Sequence, residues 1–112
     1  LSLGLEEPSI TILDMTTTPL PYPNPFSLSD NAHIYYKLTK DATLTIHIYD
    51  SLGRRIVDKT ITSGEDGGKK GRNAYPITNS TFNNYPLSSG VYFFIIMHEG
   101  SILGKGKMAI IP

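Results

Sequence analysis

Leu44-Thr45-Ile46-His47-Ile48-Tyr49-Asp50-Ser51-Leu52-Gly53-Arg54-Arg55-Ile56-Val57 is the stretch on which the fold turns. Leu44, Ile46 and Ile48 alternate with Thr43, Thr45, His47 and Tyr49. Side chains on a strand point to opposite faces in turn, so one set reads as core and the other as surface. Asp50-Ser51-Leu52-Gly53 then reads as a tight turn, because Gly53 takes positive φ without a Cβ clash. A second strand follows over residues 54–61. Two short strands with a tight turn between them make an antiparallel hairpin.

The same period extends on both sides. Upstream, Ile34, Tyr36 and Leu38 alternate with His33, Tyr35 and Lys37, and Lys40-Asp41 turns the chain. Downstream, residues 63–72 are polar and glycine-rich and read as a long flexible loop. Residues 73–78 read as a short strand. Pro76 cannot donate to a ladder, which assigns that strand to an edge or Pro76 to a strand end. Residues 79–89 read as a second polar loop. Residues 91–98 are the strongest strand, and residues 103–111 follow after Glu99-Gly100. Residues 9–15 add a strand at the start. No window of helical period competes. About seven short strands separated by turns predict an all-β, immunoglobulin-like antiparallel β-sandwich. The shared phase predicts a core of Ile34, Tyr36, Leu38, Leu44, Ile46, Ile48, Val91 and Phe93.

The chain has 112 residues, enough for one domain with a workable core. Thr16, Thr17, Thr18 and four prolines from Pro19 to Pro25 mark an extended stretch. Residues 1–20 therefore read as an N-terminal strand with a Pro/Thr-rich connection or linker, and residues 21–112 as the sandwich. The formal charge is zero, which argues against nucleic acid and anionic membrane as partners. No apolar run reaches the roughly 20 residues of a membrane span. Cysteine is absent, so there is no disulfide framework or thiol catalyst. The chain starts without methionine and without a secretory leader pattern, and so reads as part of a longer protein.

Four pieces stand in a telling order. Tyr22-Pro23-Asn24-Pro25-Phe26 comes first; Tyr49-Asp50 with Gly53-Arg54 comes next. Gly90-Val91-Tyr92 follows, and Lys107-Met108 closes the series. The series resembles the type IX secretion C-terminal sorting domains, and the similar immunoglobulin-like domain of the flagellar hook-capping family. Members of the superfamily often carry tryptophan where this chain has Tyr75. The resemblance implies a non-catalytic module of a larger secreted bacterial protein, acting in sorting or cell-surface attachment. Its implied partner is the secretion machinery or an upstream domain of the same chain. The alternatives are a structural linker or adhesion module and a carbohydrate-binding module. A monomer is expected.

The four pieces also have local physical readings. Pro23 and Pro25 fix φ and set an extended approach, Asn24 can hydrogen-bond nearby backbone, and Phe26 can plug the end of the sandwich. None of these roles is catalytic. His33, His47 and His98 lie on different strands without metal-ligand spacing. No Gly-x-Ser-x-Gly elbow is present. Glu65-Asp66-Gly67-Gly68 is an acidic loop, but it lacks the alternating carboxylates of a calcium loop and reads as solvated. The Gly64–Arg72 stretch has no G-K-[ST] ending, so it is not read as a phosphate cradle. Asn79-Ser80-Thr81 matches the glycosylation triplet by composition alone. Tyr35, Tyr49, Tyr85 and Tyr92 could form a sugar-stacking row, although strand packing explains them equally well. No catalytic residue and no cofactor is expected. The strand over residues 91–98 is apolar on both faces, and its outer face is expected to be covered by an N-terminal segment through Ile10 and Ile12.

Overall fold

A computed structural model of the protein describes residues 13–15 and 18–111. Among the described residues, seven strands form two antiparallel sheets. The smaller sheet holds β1 (Leu20–Tyr22), β2 (Ala32–Leu38) and β5 (Gly71–Ile77), in the order β1-β2-β5. The larger holds β3 (Leu44–Tyr49), β4 (Arg55–Ile61), β6 (Gly90–His98) and β7 (Ser101–Ile110), in the order β4-β3-β6-β7. Pro76 lies in β5, an edge strand, where its missing N–H interrupts no inner ladder.

The alternation in β2 and β3 is realised as read. Ile34, Tyr36, Leu38, Leu44, Ile46 and Ile48 are all buried between the sheets. On β6 the expected face is reversed. Tyr92, Phe94 and Ile96 are buried, whereas Val91 and Phe93 are 42% and 44% exposed. Register with β3 is the reason. Ile48 pairs with Phe94 and Ile46 with Ile96, and directly paired residues share a face. Gly106, opposite Phe94 on β7, leaves room for that ring; a Cβ there would stand 2.7 Å from Phe94 Cζ.

Two stretches, one read as an extended connection and the other as a polar loop, carry regular structure. Leu20–Tyr22 pairs with Tyr35–His33 from within the proline-rich region. Met15 continues that lane, bridging to Leu38, and packs with Pro19 against Gly104. Asn79–Phe82 forms a short 3-10 helix that buries Phe82 against Tyr92. Thr81 Oγ1 holds it by accepting from Thr78 N–H at 3.0 Å and donating to the Pro76 carbonyl at 2.8 Å. The loop before β5 is tied down rather than free. Gly68 accepts from Ala42 N–H at 3.0 Å, and Tyr36 Oη donates to the Gly67 carbonyl at 2.7 Å. Burial pushes the Tyr36 phenol far above the usual tyrosine range, so it stays a donor. Ile10, Ile12 and the first four residues of the strand read over 9–15 lie outside the described residues.

Candidate functional site

The four motif pieces, scattered along the sequence, draw together at one end of the sandwich. This pole is built from the end of β1, the β3–β4 turn, the start of β6 and the end of β7.

The first piece ties the two sheets. Residues 23–25 bend instead of running extended, with cis peptide bonds before Pro23 and Pro25. The bend carries the chain from the edge of the smaller sheet to β7. There Asn24 Oδ1 accepts Ala109 N–H at 2.9 Å. Phe26 N–H donates to the Ala109 carbonyl at 3.0 Å, and the Phe26 carbonyl accepts Ile111 N–H at 2.9 Å. Phe26 is fully buried and closes the end of the core.

The second piece is a self-contained turn. Asp50 Oδ1 accepts the backbone N–H groups of Leu52 and Arg54, each at 2.9 Å. Asp50 Oδ2 accepts Arg54 Nε at 2.7 Å. Gly53, at φ +82°, closes the turn by donating to the Asp50 carbonyl at 3.0 Å. Desolvation alone would raise the Asp50 pKa. The N–H groups of Arg54 and Leu52 and the Arg54 guanidinium outweigh it and hold the carboxyl below the ordinary range. The same hydrogen bond raises the Arg54 pKa. Both carboxylate oxygens are thus committed to the turn.

The third and fourth pieces sit behind this turn. Gly90 pairs with Ile110 and Tyr92 with Met108. Tyr92 and Met108 are buried, and Tyr92 Oη donates to the Ser88 carbonyl at 2.6 Å. A depression of about 160 Å³ lies between the Asp50–Arg54 turn and Gly90–Tyr92. Tyr85–Ser89 walls it, and that same segment walls a second depression of about 290 Å³ reaching Ser27 and Ile111. Leu52 stands at the tip of the turn, 78% exposed, with Tyr85, Val91 and Ile111 also exposed. An apolar rim around hydrogen-bonded turns suits contact with a partner.

Not every motif residue joins the pole. Tyr22 faces outward from the smaller sheet. Lys107 faces outward beside Phe93, and Tyr49 lies on the outer face of the larger sheet, its hydroxyl 3.3 Å from His47 Nδ1. The row Tyr35, Tyr49, Tyr85 and Tyr92 does not assemble, since Tyr92 is buried and Tyr35 belongs to the other sheet. Residues 85–89 belong to the stretch that reads as polar loop, with Tyr85 also in that row; carrying no alternation, they give no local sign that they wall the pole. His47 Nε2 pairs with Asp58 at 3.2 Å, and His98 Nδ1 lies 2.9 Å from the Thr43 carbonyl. Asp66 of the acidic loop pairs with Lys69 at 3.1 Å. Among the described residues, no group of three or more His, Asp or Glu is placed to hold a metal. Among them, too, no helix is long and apolar enough to cross a membrane.

The geometry defines a two-sheet β-sandwich module whose distinctive residues build one pole. Its family follows from comparison: the model of the secretion system C-terminal sorting domain matches residues 21–110, and the chain belongs to that family. This is the type IX sorting family that the motif order resembles, and membership implies a bacterial protein that is secreted or held at the cell surface. No curated protein matches the chain. Among solved structures it is similar to an alkylpurine DNA glycosylase, AlkC, of Pseudomonas fluorescens, bound to DNA containing an abasic site analog. That similarity has a TM-score of 0.53 at 14% identity and covers 89% of this chain. The chain spans 30% of that structure's length, and the likeness is one of fold alone.

Proposed function

We propose that this module is a non-catalytic sorting tail that the secretion machinery recognises at the motif pole, and that it acts as a monomer. The observation that carries this reading is the convergence of motif pieces on one pole, opposite the point where the chain comes in. Thr39 N–H donates to the Asp14 carbonyl at 3.1 Å, which fixes the incoming lane at the far end of β2. Along β2 that end lies about 20 Å from the pole, at roughly 3.4 Å per residue.

The non-catalytic reading rests on what the motif side chains already do. Asn24 Oδ1, Asp50 Oδ1 and Tyr92 Oη are spent on backbone groups, and Asp50 Oδ2 on the Arg54 guanidinium. They shape a surface and leave no activated group pointing into either depression. The outer apolar stripe of β6, Val91 and Phe93, runs into the same pole and would extend the contact.

The test is export. The complete chain is fused to the end of a neutral reporter carrying a leader peptide and expressed in a bacterium with a type IX system. The reporter should reach the medium or cell surface only with the module attached. Retention in the periplasm of a fusion whose module is folded would overturn the reading.

A further inference from the structure

The outer face of the smaller sheet carries side chains that neither the core nor the motif pole uses. Alternation turns Leu20 and Tyr22 of β1 away from the core, together with His33, Tyr35 and Lys37 of β2. Tyr22 and Tyr35 are 63% and 41% exposed. His33 is the register partner of Tyr22, and its ring centre lies 5.7 Å from that of Tyr35. Three rings thus occupy neighbouring positions on two paired strands.

Beside the rings, Lys37 stands directly opposite Arg72 of β5. Like charges directly opposite each other weaken an antiparallel pair. No carboxylate occurs in β1, β2 or β5 to offset this. Among the described residues neither cation forms an ion pair. Asp66 lines a depression of about 450 Å³ with Arg72 and His33, but it is already paired with Lys69. The face has cations without their counter-ion, next to a row of exposed rings.

An acidic polysaccharide supplies what is missing. A sugar ring presents an apolar C–H face to a phenol and a hydroxyl rim to an imidazole. A uronate carboxylate can take a bidentate hydrogen bond from a guanidinium. Nucleic acid also stacks and carries negative charge, but its binding draws on many neutralised phosphates. The chain's formal charge is zero, and this face offers two cations. We propose that the outer face of the smaller sheet binds a uronate-bearing polysaccharide, with sugar rings on Tyr22 and Tyr35 and carboxylates against Lys37 and Arg72. Tyr22 belongs to the first motif piece, but its ring faces outward from the smaller sheet and lines neither depression of the pole, so this binding is separable from sorting.

The experiment is affinity electrophoresis of the complete chain in gels containing polygalacturonate or dextran, with single-stranded DNA as a third arm. Polygalacturonate should retard the protein, less so as salt rises, and dextran should do so weakly. Tyr22→Ala with Tyr35→Ala should weaken the polygalacturonate affinity roughly tenfold, the scale of one or two lost aromatic contacts. Tyr22→Phe with Tyr35→Phe should retain most of it. Lys37→Gln with Arg72→Gln should abolish the preference for the acidic polymer. Absence of retardation overturns the proposal. So does retardation that ignores removal of the rings, which is plain ion exchange, and so does tighter binding to DNA than to polygalacturonate.

Discussion

Asn24 Oδ1 accepts the backbone N–H of Ala109 at 2.9 Å, joining two residues 85 positions apart. The side-chain amide here takes the place that a neighbouring strand's carbonyl would take on the edge of β7. Phe26 occupies the next position on the same edge, so the pair fastens the last strand to the first. Asn24→Ala should lower stability by about 0.5–1.5 kcal/mol, the net worth of one such hydrogen bond. Hydrogen exchange at Ala109 should quicken by more than the global loss accounts for. An Ala109 amide that stays as protected as in the parent would show that Phe26 alone secures the strand.

The two faces of β6 give opposite forecasts for adjacent phenylalanines. Phe94 is fully buried and opposes Ile48 and Gly106. Its truncation to alanine should cost about 3–5 kcal/mol in urea unfolding. Phe93→Ala removes a half-exposed ring and should cost under about 1 kcal/mol. Equal losses would mean that the outer face is covered as firmly as the core.

That contrast marks where sequence pattern stops informing. β2 and β3 were legible because one face of each is polar: His33, Tyr35 and Lys37 against Ile34, Tyr36 and Leu38. On β6 both faces are apolar, so alternation gives two solutions and pairing with β3 decides. β1 was hidden because prolines mask its propensity, although Pro21 is itself buried. Phe82 was hidden because its burial depends on a single helical turn docking beside Tyr92. The pole was legible as motif pieces, but their convergence was not. It depends on Asn24 reaching Ala109 and on the Tyr85–Ser89 wall, and neither contact has a local sequence period.

Acid should loosen the Asp50 turn. The folded carboxyl titrates below its ordinary value of 3.8, held there by the N–H groups of Leu52 and Arg54 and by the guanidinium. A depressed folded pKa contributes stability that is fully present above the unfolded value and is lost as pH falls through the folded one. Asp50→Asn should therefore be less stable than the parent at neutral pH, and the gap should narrow below about pH 4. Thermal unfolding of both proteins across pH 2–7 reads this directly. A gap that stays constant through that range would remove the charged form from the account.

Recognition at the motif pole, as distinct from mere folding of the pole, has its own signature. Leu52 gives the turn only its backbone N–H, the other hydrogen bonds running among Asp50, Gly53 and Arg54, and its side chain projects 78% exposed from the tip. Val91 lies on the outer face at the start of β6 and lines the same depression. Leu52→Asp and Val91→Lys should each change stability by no more than about 0.5–1 kcal/mol, as surface substitutions do. Exposed apolar groups at a contact lose their burial when charged, so both variants should cut reporter export severalfold with the melting temperature nearly unchanged. Phe93→Lys, further along the same stripe, should have a smaller effect, and Glu65→Lys at the opposite pole none. If Glu65→Lys impairs export as much as Leu52→Asp while both modules stay folded, recognition is spread over the whole surface and the pole holds no special place.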